Sequence, residues 1–285
     1  MTNLLNILYL LTFLYYLLIG QALCTNTTTF SGYPVVVLHG ILSSASKMRV
    51  FSEWIHSTFH VQIFTPEIGN GYLTSLLTPL QYQLNELCHT IYKIDELKNG
   101  FNFIGMSQGG LLARGYVEQC NKYQVINLIT MVSPHGGVYI PSIKLNMYTN
   151  LYQKHISIAG YWRDPTNIEN YIQKSSYLSL FNNEKWSENS TMYITNIKKL
   201  KNIVFIWSAK DEIINPPESG KFSFFDSNLN VVSIFDTELY KNDLLGLRYL
   251  NEQNKMHIYE TSCTHVQHKD PICFEELYVI LKKYL

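Results

Sequence analysis

Six consecutive residues, Gly105-Met106-Ser107-Gln108-Gly109-Gly110, restrict the folds open to this chain more than any other stretch. They follow an apolar run, Phe101-Asn102-Phe103-Ile104, and lead into the helix-like run Leu111 to Glu118. A strand, a G-x-S-x-G turn and a helix in that order make a sharp elbow that leaves the serine hydroxyl exposed at the end of a strand. The flanking glycines are required because a Cβ there would collide with the neighbouring strand and helix. An elbow of this kind belongs on a parallel sheet covered by helices.

The rest of the chain agrees with that requirement. Strand-like and helix-like segments alternate, which predicts an α/β fold with a mostly parallel central sheet and helices on both faces. Strands are expected at Tyr33 to Leu38, Val61 to Phe64, Val125 to Val132, Ile203 to Trp207 and Met256 to Glu260. Helices are expected at Met48 to Phe59, at Pro79 to Leu97 with proline in the first turn, and at Pro271 to Leu285. Residues 138–202 break the rhythm, being rich in Tyr, Asn, Ile and Leu without strand alternation. So long a stretch with no sheet element reads as an inserted helical cap.

Composition narrows the function classes. Hydrophobic residues make up 46% of the 285 and charged residues 15%, enough apolar surface for a large core. The 22 basic and 22 acidic residues cancel and form no long blocks, which argues against a nucleic-acid partner. No charged side chain precedes Lys47, and Leu4 to Ile19 is almost wholly apolar. With small residues following, residues 1–24 read as a secretory signal peptide and residues 25–285 as the mature domain, with no stable membrane span after cleavage. Cleavage after Cys24 leaves Cys88, Cys120, Cys263 and Cys273. Four cysteines in an oxidising compartment allow three connectivities. We expect Cys88–Cys120, which would clamp the helices on either side of the elbow strand, and Cys263–Cys273. The first is worth about 3–4 kcal/mol in the chain-entropy model. Sequons at Asn26 and Asn189 are candidate glycosylation sites and fit the same compartment.

A serine hydroxyl needs a base, and the base needs an orienting group. In this architecture the order is serine, acid, histidine, with the last two at strand ends. Asp211 follows the apolar strand ending at Trp207 and is the expected acid; Glu212 is its local rival, with Asp226 and Asp236 in a more polar stretch. His265 follows the strand Met256 to Glu260 and is the expected base, ahead of His268 and His257. The oxyanion donors expected are the main-chain N–H groups of Gln108 and of Ile41, the latter in the loop Leu38-His39-Gly40-Ile41-Leu42. His39 is expected to brace that loop. No His-Glu-x-x-His or Cys-x-x-Cys pattern occurs, so neither a metal nor a cofactor is expected.

Together these residues resemble the palmitoyl-protein thioesterase family of lysosomal α/β-hydrolases. The similarity spans nearly all of the mature chain. Gly105 to Gly110 is similar to the family's G-x-S-Q-G-G, and Ser133-Pro134-His135-Gly136-Gly137-Val138 to its loop after the next strand. Tyr161-Trp162-Arg163-Asp164-Pro165 resembles its Tyr-Trp-x-Asp-Pro signature in the cap. Asp211 to Pro216 resembles its acid loop, and Leu239 to Leu247 the segment before its histidine. One departure is Ile41, where the family's best-known branch has Met. The resemblance implies an α/β-hydrolase fold, with Ser107 as nucleophile, Asp211 as orienter and His265 as base. It implies hydrolysis of long-chain acyl thioesters, on S-acylated proteins or peptides or on acyl-CoA, in the lysosome or after secretion. An oxyester lipase or carboxylesterase would use the same parts. The acyl groove is expected partly in the insertion, at Ile140, Ile143, Tyr161, Trp162 and Leu178.

Overall fold

The computed structural model describes residues 30–285. The expected signal peptide, Cys24 and the Asn26 sequon lie outside the described residues. One compact unit runs from Gly32 to Leu285.

Its frame is a six-stranded sheet in the order β2-β1-β3-β4-β5-β8, parallel throughout. The strands are β1 (Val35–Leu38), β2 (Ile63–Phe64), β3 (Phe101–Met106), β4 (Val125–Met131), β5 (Asn202–Trp207) and β8 (Met256–Glu260). A separate antiparallel ribbon pairs β6 (Phe224–Phe225) with β7 (Val231–Val232). This is the mostly parallel α/β sheet that the alternating pattern implies. The chain runs from β1 to β2 at one edge and then crosses to β3 on the other side of β1. That reversal opens a crevice beyond the carboxyl ends of β1 and β3, where ligands bind in open parallel sheets.

Both sheet faces are buried, so the strands are nearly all apolar and alternate between two cores. Val36, Leu38, Phe101, Phe103, Leu128, Ile203 and Phe205 face one core, with α3 (Leu80–Ile91) and α4 (Gln108–Gly115). Val35, Val37, Ile104, Met106, Ile129, Met131, Val204 and Ile206 face the other, with α1 (Arg49–Phe59) and α11 (Phe274–Leu281). Between α1 and α3 lies the short α2 (Tyr72–Leu77).

Two disulfides join these parts. Cys88 on α3 bonds Cys120, at the end of the helical turn that continues α4, and Cys263 bonds Cys273. Between β4 and β5 the chain adds α5 (Asn150–His155), α6 (Ile168–Lys174), α7 (Leu178–Phe181) and α8 (Ser190–Lys198) and no sheet strand. The insertion packs on the α3/α4 face: Tyr161, Trp162, Tyr171, Tyr177, Leu178 and Phe181 are all buried in that core. After β7 come α9 (Glu238–Lys241) and α10 (Leu247–Glu252). Among the described residues, no helix is long and apolar enough to cross a membrane.

Candidate active site

Ser107 stands between β3 and α4 with φ 56° and ψ −129°, left-handed backbone that a non-glycine residue adopts only at a cost. The surroundings fix it there. Its N–H donates to the Met131 carbonyl on β4 (2.8 Å), and its carbonyl accepts from the Gly110 N–H (2.9 Å). The glycines allow the crowding: a Cβ on Gly109 would sit 2.4 Å from the His39 carbonyl oxygen, and one on Gly105 2.5 Å from that of Gly109. α4 therefore presses directly on β1 and β3, and Ser107 is 6% exposed.

Asp211 and His265 meet at the ends of β5 and β8. Asp211 Oδ1 accepts the N–H groups of Ile213 and Ile214 (2.9 Å each), which leaves Oδ2 for His265 Nδ1 at 2.8 Å. An ionised carboxylate only accepts, so Nδ1 carries the proton and Nε2 keeps a free lone pair. Glu212 acts differently from its neighbour: its Oε2 accepts the main-chain N–H of His265 (2.9 Å) and fixes the backbone of that residue. The Cys263–Cys273 disulfide closes the same loop. Of the other acids, Asp226 caps an exposed turn through the N–H groups of Asn228 and Asn230.

Three other histidines near the site or on its strands are engaged elsewhere. His268 is fully buried between the Thr261 hydroxyl (2.8 Å) and the Thr264 carbonyl (2.8 Å), and burial holds its pKa below the usual imidazole value. His257 pairs with the Asn202 side chain (3.0 Å). His39 bridges the Gly40 carbonyl (2.8 Å) and Glu67 (2.6 Å), whose other oxygen accepts the Ala45 N–H (2.8 Å). That arrangement fixes the loop carrying Ile41. A Cβ on Gly40 would lie 2.8 Å from that of Ser107, so this loop passes right against the serine.

The Gln108 side chain is a feature that motif reading passes over. It is buried, and its Nε2 donates to the Ser75 carbonyl (2.8 Å) and the Gln83 Oε1 (3.3 Å). The Ser75 hydroxyl in turn accepts the Leu42 N–H (2.9 Å). Through α2, the residue after Ser107 is tied to the residue after Ile41. As the first residue of α4, Gln108 also has a main-chain N–H without an intrahelical acceptor. Nothing in the bare sequence pairs residues 42, 75 and 108.

Ser107, His265, Ile41 and Gly40 share a cavity of about 440 Å³, lined also by Leu42, Met48, Met106, Ile213 and Val266. The size falls within the ordinary range of ligand pockets. Met48 and Met106 belong to the α1/α11 core, opposite the face covered by the insertion. Consequently none of Ile140, Ile143, Tyr161, Trp162 and Leu178 lines it. Tyr161, Trp162 and Leu178 are buried core, Ile140 packs against that core, and Ile143 and Trp162 border a separate cleft of about 400 Å³. Aliphatic and aromatic composition alone does not separate groove from core. Asn189 is exposed at the start of α8.

Comparison with known sequences decides the family. The palmitoyl protein thioesterase family matches residues 34–265. The chain belongs to the palmitoyl protein thioesterase family. Palmitoyl-protein thioesterase 3 of Dictyostelium discoideum is 37% identical over 265 residues, covering 88% of this chain and 90% of the relative. The lysosomal thioesterase PPT2 homolog of Drosophila melanogaster is 30% identical over 84% of this chain and 88% of its own length. Lysosomal thioesterase PPT2-B of Xenopus laevis is 31% identical over 86% and 90%.

Proposed function

We propose that this chain hydrolyses long-chain fatty acyl thioesters through an acyl-enzyme on Ser107, with His265 as base and Asp211 as its orienting acid. Membership of the family makes it a thioester hydrolase; the roles of individual residues are our reading. The observation that carries it is the Asp211–His265 hydrogen bond at the cavity that also holds Ser107.

The steps are those expected of a serine, histidine and aspartate so arranged. Ser107 Oγ attacks the thioester carbonyl carbon while its proton passes to His265 Nε2. The carbonyl oxygen becomes an oxyanion, held by the main-chain N–H groups of Ile41 and Gln108; each such donor is worth about 2.7–4 kcal/mol. Collapse breaks the C–S bond, and His265 returns the proton to the leaving sulfur. A thiol with a pKa near 8.5 leaves readily, so this step asks little of the acid. Water, deprotonated by His265, then attacks the acyl-serine and releases the fatty acid and Ser107.

The apolar cavity over Ser107 supports an aliphatic acyl group, each buried methylene contributing about 0.8 kcal/mol. S-acylated cysteine peptides and acyl-CoA both offer that group. The family's lysosomal members and the expected leader favour a lysosomal or otherwise luminal site of action. The test compares hydrolysis of palmitoyl-CoA with that of a matched palmitoyl oxyester, using Ser107→Ala as the blank. Faster thioester turnover that disappears in Ser107→Ala is expected; a strong oxyester preference would make the chain a lipase or carboxylesterase instead.

A further inference from the structure

The helix α2 is turned inside out. Of its six residues, only the polar Ser75 is buried, held by Leu42, Gln108 and Gln83 through hydrogen bonds. Tyr72, Leu73 and Leu77 are 53%, 51% and 50% exposed. At 100° per residue, positions 72, 73, 76 and 77 fall within one arc, so the outward face is continuous and apolar. An ordinary surface helix buries such a face and exposes its serine.

The buried side of α2 is tied to the mouth of the candidate active site. The Leu42 N–H bonds Ser75, and the Leu42 side chain is half exposed where it lines the cavity. Ile213 and Val266 line the same mouth and are equally exposed. They follow Asp211 and His265 within two residues, so each loop that supplies the site also presents an outward aliphatic side chain. Contiguous exposed apolar surface of this kind marks an interaction site. Lys47 and Lys269 border the mouth as well. Lys47 has no ion-pair partner among the described residues, and Lys269 pairs only with the half-exposed Asp270. The chain as a whole carries no net charge, so this pairing of lysines with exposed aliphatics is local.

We propose that α2 and the cavity mouth dock on an anionic lipid bilayer. Tyr72, Leu73, Leu77 and Leu42 enter the interface, and Lys47 and Lys269 meet the headgroups. Apolar side chains flanked by lysines whose stems lie along the interface are the chemistry of such contacts. The cavity continues from the docked face, so an acyl chain can pass from the bilayer to Ser107 without crossing water. This last point rests on the thioesterase reading; the docking itself does not.

The test uses Ser107→Ala protein and sedimentation with vesicles of phosphatidylcholine, with and without phosphatidylserine. Binding is expected on the phosphatidylserine vesicles and weaker binding on the neutral ones. Leu73→Ser/Leu77→Ser should lose at least tenfold in affinity, as should Lys47→Glu/Lys269→Glu. Neither leucine lines the cavity, so in the Ser107 background Leu73→Ser/Leu77→Ser should hydrolyse a water-soluble short-chain thioester at the unaltered rate, which also shows that it is folded. Protein that stays in solution with both vesicles overturns the proposal, as does binding that neither double variant weakens. A dimer that Leu73→Ser/Leu77→Ser converts to monomer would also overturn it, assigning the face to a second copy of the chain. Failure on the soluble thioester by the unaltered protein would instead sink the thioesterase reading and leave the vesicle result standing.

Discussion

The loops at the carboxyl ends of the sheet and the insertion between β4 and β5 are built by different rules. In the loops, main-chain geometry places each group: a left-handed serine, glycines pressed on neighbouring carbonyls, and Asp211 held by two N–H groups. In the insertion, and on α4 where it packs, side chains set the packing through two buried ion pairs set among aromatic rings. Arg114 on α4 bonds Glu118, the Phe181 carbonyl (3.3 Å) and the Asn182 side chain (2.8 Å), while Asn182 reaches the His135 carbonyl (3.1 Å). Arg163 pairs with Glu184, which also accepts from Tyr171, and lies over the Phe224 ring. The loops therefore carry the candidate chemistry, and the insertion carries aromatic and ionic packing. That division can be broken by experiment.

The largest effect belongs to the loops. His265→Ala should lower kcat by about 10⁴–10⁶-fold with little change in thermal stability. A variant that retains more than a hundredth of the activity would remove His265 from the site. Next comes Trp162→Ala in the insertion, expected to destabilise by about 3–5 kcal/mol in denaturant unfolding. KM for palmitoyl-CoA in the folded protein should stay unchanged; a raised KM with stability intact would return Trp162 to the acyl groove.

Gln108→Ala lies on the border between the two regions. It keeps the main-chain N–H but releases Ser75 and Gln83, so kcat should fall by about 10–100-fold, corresponding to roughly 1–3 kcal/mol for a buried hydrogen-bonding group. Unchanged kcat would show that the main chain holds its position unaided.

The smallest effect is one of pH. Burial pushes the Glu118 carboxyl up to about 7, against the opposing pull of Arg114, from an ordinary value of 4.5. The folded chain then keeps a proton that the unfolded chain releases between about 4.5 and 7, so this contribution is complete below 4.5 and is lost as pH rises through that window. Melting curves of the unaltered protein and Glu118→Gln should diverge as pH falls from 7 to 4.5, with the unaltered protein gaining. Buried His135, held well below the usual imidazole pKa by burial and by the Arg114 charge, opposes this in both proteins. Parallel pH profiles would contradict the assignment.

What was legible in the sequence follows the same division. The elbow, the strands and the order of Ser107, Asp211 and His265 are local patterns with a fixed backbone consequence, and periodicity reveals both faces of the sheet. Glu212 was readable only as a rival acid, because its bond to the His265 N–H joins residues far apart in the chain. The Ser75–Gln108 link is equally non-local. The insertion was legible as helical and strandless, but which of its aliphatic side chains face a cavity depends on tertiary packing. Arg114 and Glu118, four residues apart on one helical run, did carry a local signal of an ion pair, though not of its burial.

The central claim is that Ser107 is the nucleophile, and covalent labelling tests it most directly. A tagged fluorophosphonate is incubated with the unaltered protein, Ser107→Ala and His265→Ala, and the modified peptide is mapped by mass spectrometry. The expected result is a single label on Ser107, slow in His265→Ala and absent in Ser107→Ala. A label on another residue, or none on a protein that hydrolyses palmitoyl-CoA, would contradict it.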